Sequence, residues 1–145
     1  MTESAALPRP GPMPDTLLDE EFWAFCSDQK LCFQRCKSCE TWRHLPRLMC
    51  AGCGSPAWEW LESSGRGHIY SWTVTHQAML PAFVDEVPYA SVIVELEEGV
   101  RMVSGVQGIA LDEIEIDLPV EVTFMSISEH ASIPMFRHRG QAAHG

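Results

Sequence analysis

The sequence predicts a mainly β protein: an N-terminal helical segment, a small metal-stapled ribbon, then a five-stranded barrel of OB type. Three observations carry that prediction. Cys36-x-x-Cys39 and Cys50-x-x-Cys53 form two cysteine hooks separated by ten residues. Apolar and polar residues alternate through much of the C-terminal half, the period of half-buried strands. Helical spacing marks the stretch from Asp15 to about Asp28 instead.

The hooks supply four soft thiolates from two short knuckles, the ligand set of a closed tetrahedral Zn²⁺ site. Four protein ligands leave no position for water or substrate, so Cys36, Cys39, Cys50 and Cys53 predict one structural zinc ion. Disulfides are the competing use of paired cysteines. The N-terminus lacks the apolar run of a secretory leader, so the expected location is the cytoplasm, where thiols stay reduced and such pairs favour metal. Gly52 and Gly54 suit the second knuckle, since residues tolerant of positive φ let backbone amides turn toward sulfur. The first hook lacks a glycine, and Lys37 with Arg35 partly offsets the charge of the thiolates. Cys26 and Cys32, outside any hook and in apolar contexts, read as buried small hydrophobes.

The 145 residues suffice for one compact domain and a small appendage. Their hydrophobic content of 46% is that of a globular protein. No apolar run approaches the roughly 18 residues that span a bilayer, so no membrane partner is expected. Net charge is −10. Ribbons and small barrels often bind nucleic acid, but such binders carry a basic face. Here the basic residues are local to the ribbon: Lys30, Arg35, Lys37, Arg43, His44 and Arg47. The C-terminal half is crowded with acids, among them Glu95, Glu97, Glu98, Asp112, Glu113, Glu115, Asp117 and Glu121. A polyanion is repelled by that surface. A small anionic ligand or a complementary protein patch is not.

Residues 1–14, with Pro8, Pro10, Pro12 and Pro14, read as an extended arm. Residues 15–30 form the helical segment. Asp15 or Thr16 caps it, and Asp19, Glu20 and Glu21 suit its positive end. Leu18, Phe22 and Phe25 recur along one side. The Phe22-Trp23 pair is a candidate contact for a partner. Residues 31–62 are the ribbon, entered by Leu31-Cys32-Phe33 and left by Trp58-Glu59-Trp60-Leu61. Between the hooks, Trp42, Arg43 and Arg47 either form a solvated hairpin or present a basic-aromatic patch to a phosphate or an acidic surface.

Residues 63–137 make the barrel and 138–145 a tail. His68–His76 is its first strand. A long loop from Gln77 to Pro88 precedes a hairpin of Tyr89–Glu97 and Arg101–Gln107 about the Glu98-Gly99 turn. Glu115-Ile116 is a weak strand and Val120–Phe124 a clear one, which together suggest a Greek-key barrel. Gly65-x-Gly67 is followed by a strand rather than a helix, so it bends the chain and does not hold a phosphate.

These residues carry a resemblance. Leu31–Cys39, Cys50–Gly54, Trp60–Val74, Pro88-Tyr89, Val94–Gly99 and Pro119–Val122, in this order over residues 18–137, resemble the zinc-ribbon/OB-fold family associated with acyl-CoA metabolism. That resemblance implies an N-terminal helical hairpin, a rubredoxin-like zinc ribbon and an OB barrel. It also implies a role as accessory subunit or fused domain of thiolase-fold enzymes or of hotdog-fold enoyl-CoA hydratases. Asp117-Leu118 departs from the family, which often has a glycine and then an apolar residue there.

The residues themselves offer no self-contained active site. There is no nucleophile elbow and no HExxH pair, and the six histidines are scattered. His76, ending the first barrel strand beside the long loop, is the one placed to face a ligand, but it lacks an evident orienting partner. The function expected is therefore a non-catalytic subunit of a hetero-oligomeric acyl-CoA-processing complex. Its expected partner is a thiolase-fold enzyme, with some contact to the acyl-CoA. The alternatives are a hydratase subunit, a single-stranded nucleic-acid-binding module on fold analogy alone, and a redox carrier with iron in the hooks.

Overall fold

The computed structural model describes residues 10–140. Helix α1 (Leu17–Ser27) precedes strands β1 (Cys32–Cys36), β2 (Trp42–Arg43) and β3 (Trp58–Glu62). Then come β4 (Arg66–Thr75), β5 (Tyr89–Leu96), β6 (Arg101–Ser104), β7 (Pro119–Ser126) and β8 (Ser132–His138). Short 3-10 turns lie at Pro81–Phe83 and Leu111–Glu113. Among the described residues no helix is long and apolar enough to cross a membrane.

The helix is shorter than expected at both ends. Thr16, not Asp15, caps it, its hydroxyl accepting from the Asp19 amide at 3.1 Å. At the other end Gln29 turns left-handed (φ 64°), and the Lys30 amide closes back on the Phe25 carbonyl at 2.9 Å. The inward residues are Phe22 and Cys26, four apart, with Leu18 and Phe25 only half-buried. The helical hairpin implied by the resemblance is corrected: the described residues contain this one α-helix. Of the expected arm, residues 1–9 lie outside the described residues. Residues 10–14 have neither helix nor strand. There Pro12 and Pro14 share a shallow hollow with Trp23 and Ser27 of the helix and Ser132 of β8.

Two antiparallel sheets follow. The ribbon sheet has the order β2-β1-β3, and the barrel sheet β6-β5-β4-β7-β8. Both faces of β1 are covered, which is why even Gln34 is buried there. The barrel sheet curls until its outer strands meet. Past β6, the Gln107 amide donates to the Phe136 carbonyl (2.8 Å), and the Phe136 amide donates to the Gly105 carbonyl (3.0 Å). That closure shortens β6: the strand expected to run to Gln107 stops at Ser104 and turns toward β8.

The count of five strands holds, but one member was misplaced. Glu115-Ile116 is no strand. A 3-10 turn at Leu111–Glu113 precedes it and Ile116 opens a turn, with Ile114 buried and Ile116 exposed. The fifth strand is β8, and Ser132, Pro134 and Phe136 point inward from it. Pro134 hides the strand from sequence reading, because proline cannot donate to a ladder. At a sheet edge that loss is tolerated. Here Pro134 pairs with Phe124 of β7.

One core joins the layers. Phe22, Cys26, Leu31 and Phe33 from helix and ribbon pack with Ile69, Val92, Val94, Leu96, Val120 and Phe136 from the barrel. The Gly65-x-Gly67 bend behaves as expected. Gly65 has φ 74°, and a side chain on Gly67 would run into the Glu95 carbonyl of the neighbouring strand. Asp117, where the resembling family often has glycine, adopts φ 66° itself, and its amide donates to the Ile69 carbonyl at 2.8 Å. Aspartate is among the few residues that accept this conformation.

Candidate functional site

The hooks converge. One sulfur from each of Cys36, Cys39, Cys50 and Cys53 lies within 4.8 Å of the others. Cys36 to Cys53 and Cys39 to Cys50 are both 3.6 Å apart. Tetrahedral zinc with bonds of about 2.3 Å requires sulfurs about 3.8 Å apart, so the cluster is shaped for one zinc ion. The two knuckles are built alike. Glu40 and Gly54 each follow the second cysteine of their hook, with φ 65° and 76°, and their amides donate to the Cys36 and Cys50 carbonyls. Glu40 thus does without glycine what Gly54 does with it, and its carboxylate meets Arg35 at 3.1 Å. Gly52 does not adopt a positive φ.

The donor set also suits a cation electrostatically. The Thr41 hydroxyl and amide pull Cys39 down to about 6. Cys53 is helped toward thiolate by the Ser55 amide, yet contacts with the Cys36 and Cys39 sulfurs push it up to about 11. Crowded thiolates of this kind need a soft divalent ion to ionise together. Cys26 and Cys32 are buried as expected. Burial, then the proximity of Cys32, pushes Cys26 up to about 12, and burial followed by Glu62 raises Cys32.

Between the hooks, Gln34 organises the chain. Its side-chain oxygen accepts from Arg43 Nε and from the Arg47 amide, both at 2.7 Å, and Arg43 Nη2 donates to the Arg47 carbonyl at 2.7 Å. Arg43 is therefore turned inward, within 5.9 Å of the Trp58 ring, and Trp42 is half-buried against the core. Gln34 Nε2 and Arg43 Nη1 are buried without partners among the described residues. Arg47 alone of the expected basic patch leaves an exposed side chain with no partner there. Gln34 was missed in the sequence. Its signal was a lone amide within an apolar strand next to a hook.

This organised loop forms one wall of a groove of about 920 Å³. Trp23, His44, Leu45 and Pro46 face β5, β6 and the Ile133–Met135 stretch of β8 across it, with the Phe83–Pro88 region at one end. Phe22 lines its floor but is only 4% exposed, so it belongs to the core more than to any surface. His44 packs on Phe22 and Phe33, with ring centroids 5.1 and 5.3 Å away. Burial drives its pKa down to about 4, against a small opposing effect of Asp19, so the ring is neutral at pH 7. His76 is exposed just after β4 and does not line the groove. No local sequence signal marks the groove, because helix, ribbon and barrel segments far apart in the chain build it.

A helix-braced zinc ribbon leading into a curled five-stranded half-barrel defines a zinc-ribbon/OB-fold protein. Residues 23–59 match the rubredoxin-like zinc ribbon domain of ChsH2, and residues 60–125 match its C-terminal OB-fold domain. A DUF35 domain-containing scaffold protein of Methanothermobacter thermautotrophicus is 34% identical over 110 residues, covering 61% of this chain and 82% of that protein. The chain belongs to the DUF35 family, in its ChsH2-like form. It is also 41% identical over 127 residues to the probable enoyl-CoA hydratase alpha subunit of Thermomonospora curvata. That match covers 87% of this chain but spans only 39% of the relative's length. Among solved structures, a chain of the Ltp2-ChsH2(DUF35) aldolase is 37% identical with a TM-score of 0.79, covering 90% of this chain and 98% of that one.

Proposed function

We propose that this chain is a non-catalytic accessory subunit of an acyl-CoA-processing complex in the cytoplasm, with a thiolase-fold enzyme as its partner. The observation that carries the reading is the likeness along 98% of the DUF35 chain of the Ltp2-ChsH2(DUF35) aldolase. The chemistry of the thiols is in keeping with it. Cys26 and Cys32 are held protonated by burial, and the hook sulfurs are committed to zinc. A nucleophilic cysteine for carbon–carbon bond formation or cleavage then comes from the partner. This subunit stabilises the partner, covers its substrate entrance, and offers Trp23 and Arg47 to ligand or partner.

The 41% identity to a hydratase alpha subunit favours a second reading, in which the partner is a hotdog-fold enoyl-CoA hydratase. Co-purification of the tagged chain from its native host, with mass spectrometry of what accompanies it, separates the two. A thiolase-fold enzyme in fixed stoichiometry supports the first reading, and a hotdog-fold hydratase replaces it with the second. Acyl-CoA turnover by the rigorously isolated chain, abolished by His76→Ala, overturns both.

A further inference from the structure

The N-terminal arm leads to the groove between ribbon and barrel. Pro12 and Pro14 share their hollow with Trp23, and Trp23 also lines the groove. Gly11 lies against the turn between β7 and β8, where a Cβ on it would come within 3.1 Å of the Ile127 side chain. One strand alternation back from Ile127 stands Met125, which lines the groove beside its pairing partner Ile133. The described part of the arm therefore ends at the rim of the groove, and residues 1–9 precede it in the chain. Fully extended, residues 5–9 alone span about 17 Å.

The groove suits that segment in three respects. Its walls include Met102, Met125 and Met135, unbranched side chains that adapt to varied apolar shapes. Ala5, Ala6, Leu7 and Pro8 are uncharged and apolar, and Pro8 biases Leu7 toward extended backbone. A main-chain slot is also present. The Leu96 amide donates to the Val100 carbonyl, so every second residue of β5, counted from Leu96, turns its main-chain groups toward β6. The pairing of β6 with β5 ends at Ser104 opposite Val92. The main-chain groups of Ala90, a lining residue, thus face the groove, where an extended segment can pair with them. Charge agrees as well: Asp19, one helical turn before Trp23, lines the groove, and Arg9 directly precedes the described arm.

We propose that residues 5–9 of this chain lie extended in its own groove, with Leu7 among the three methionines and Arg9 beside Asp19. The occupant is intramolecular, so anything else that enters the groove first displaces the arm. No bond forms or breaks; burial of apolar surface holds the segment reversibly. The inference concerns the free chain and does not rest on the accessory-subunit reading.

The test uses the full zinc-loaded chain without partner or acyl-CoA. Photoreactive p-benzoylphenylalanine is placed at Leu7, and its crosslinks are mapped by mass spectrometry in a mixture of isotopically light and heavy chains. Crosslinks within one chain to Met102, Met125 or Met135 are expected. Crosslinks only between light and heavy chains would make a second copy the occupant and overturn the proposal, as would crosslinks confined to residues outside the groove. The second measurement is the rate at which tert-butyl hydroperoxide oxidises each methionine. Deleting residues 2–9 should speed oxidation of Met125 and Met135 about fivefold, the change for an arm docked roughly 80% of the time. Met79, 86% exposed and outside the groove, should keep its rate. Arg9→Glu should move Met125 and Met135 in the same direction, with melting temperature unchanged. Unchanged rates in a folded deletion variant would overturn the proposal; if that variant does not fold, the crosslinks in the full chain decide alone.

Discussion

Replacing Phe136 with alanine tests the closure of the barrel and the strand that sequence reading overlooked. The ring is fully buried in the common core. Its backbone makes both hydrogen bonds that join β8 to the chain beyond β6, and it pairs with Val122 of β7. Removing a buried phenylalanine ring costs the transfer free energy of the ring plus the cavity it leaves, about 3–5 kcal/mol. For a chain of this size that lowers the melting temperature by about 10 °C. The neighbouring stretch Ile133–Met135 forms a wall of the groove. Guanidinium denaturation of the zinc-saturated protein reads the cost directly, with Val103→Ala, at an exposed position of β6, as a control expected within about 0.5 kcal/mol of wild type. A Phe136→Ala cost below about 1 kcal/mol, or no larger than that of the control, would refute the place of β8 in the core.

Replacing Cys36 and Cys39 by serine should release zinc and unfold the ribbon, since metal binding supplies much of a ribbon's folding free energy; elemental analysis and melting curves check both effects. His44 has a folded pKa of about 4 against the usual 6.5, so the stability of its neutral packing is fully present above about pH 6.5 and is lost as pH falls toward 4. The loss is on the order of 3 kcal/mol, and His44→Phe should flatten that acid slope in denaturation measured across the range. Gly67→Ala should force β4 from β5 at the Glu95 carbonyl and cost about 1–3 kcal/mol in the same assay. Arg47→Ala should raise the apparent KM of the assembled complex for acyl-CoA about tenfold while leaving assembly intact by size-exclusion chromatography.

What the sequence discloses here is whatever is written locally. The hooks disclose the metal centre because four cysteines at knuckle spacing have few other uses. Tyr89–Leu96 is legible because it is rich in β-branched and apolar residues, every second one of which is buried, and the Glu98-Gly99 turn because glycine accepts the φ of 88° found there. Strand β8 is not, because Pro134 carries a warning that applies inside sheets and not at their edges. Glu115-Ile116 imitates a strand because one apolar residue between acids satisfies a period of two. The basic cluster of the ribbon looks like one patch in sequence, yet Arg43 is spent on Gln34 and Arg35 on Glu40, so of its three arginines Arg47 is the one that faces solvent. Which arginine faces solvent depends on a buried amide nine residues before Arg43, and no local pattern encodes that.

The central claim is that the chain works only in company. Its most direct test is turnover by the chain alone, by the purified thiolase-fold partner alone, and by the two reconstituted at equal concentration, with one acyl-CoA substrate and detection of the carbon–carbon cleavage products. The account predicts no turnover from this chain, little from the partner, and full activity from a stable complex containing both. Equal activity of the partner with and without this chain, or products formed by this chain alone, would contradict it.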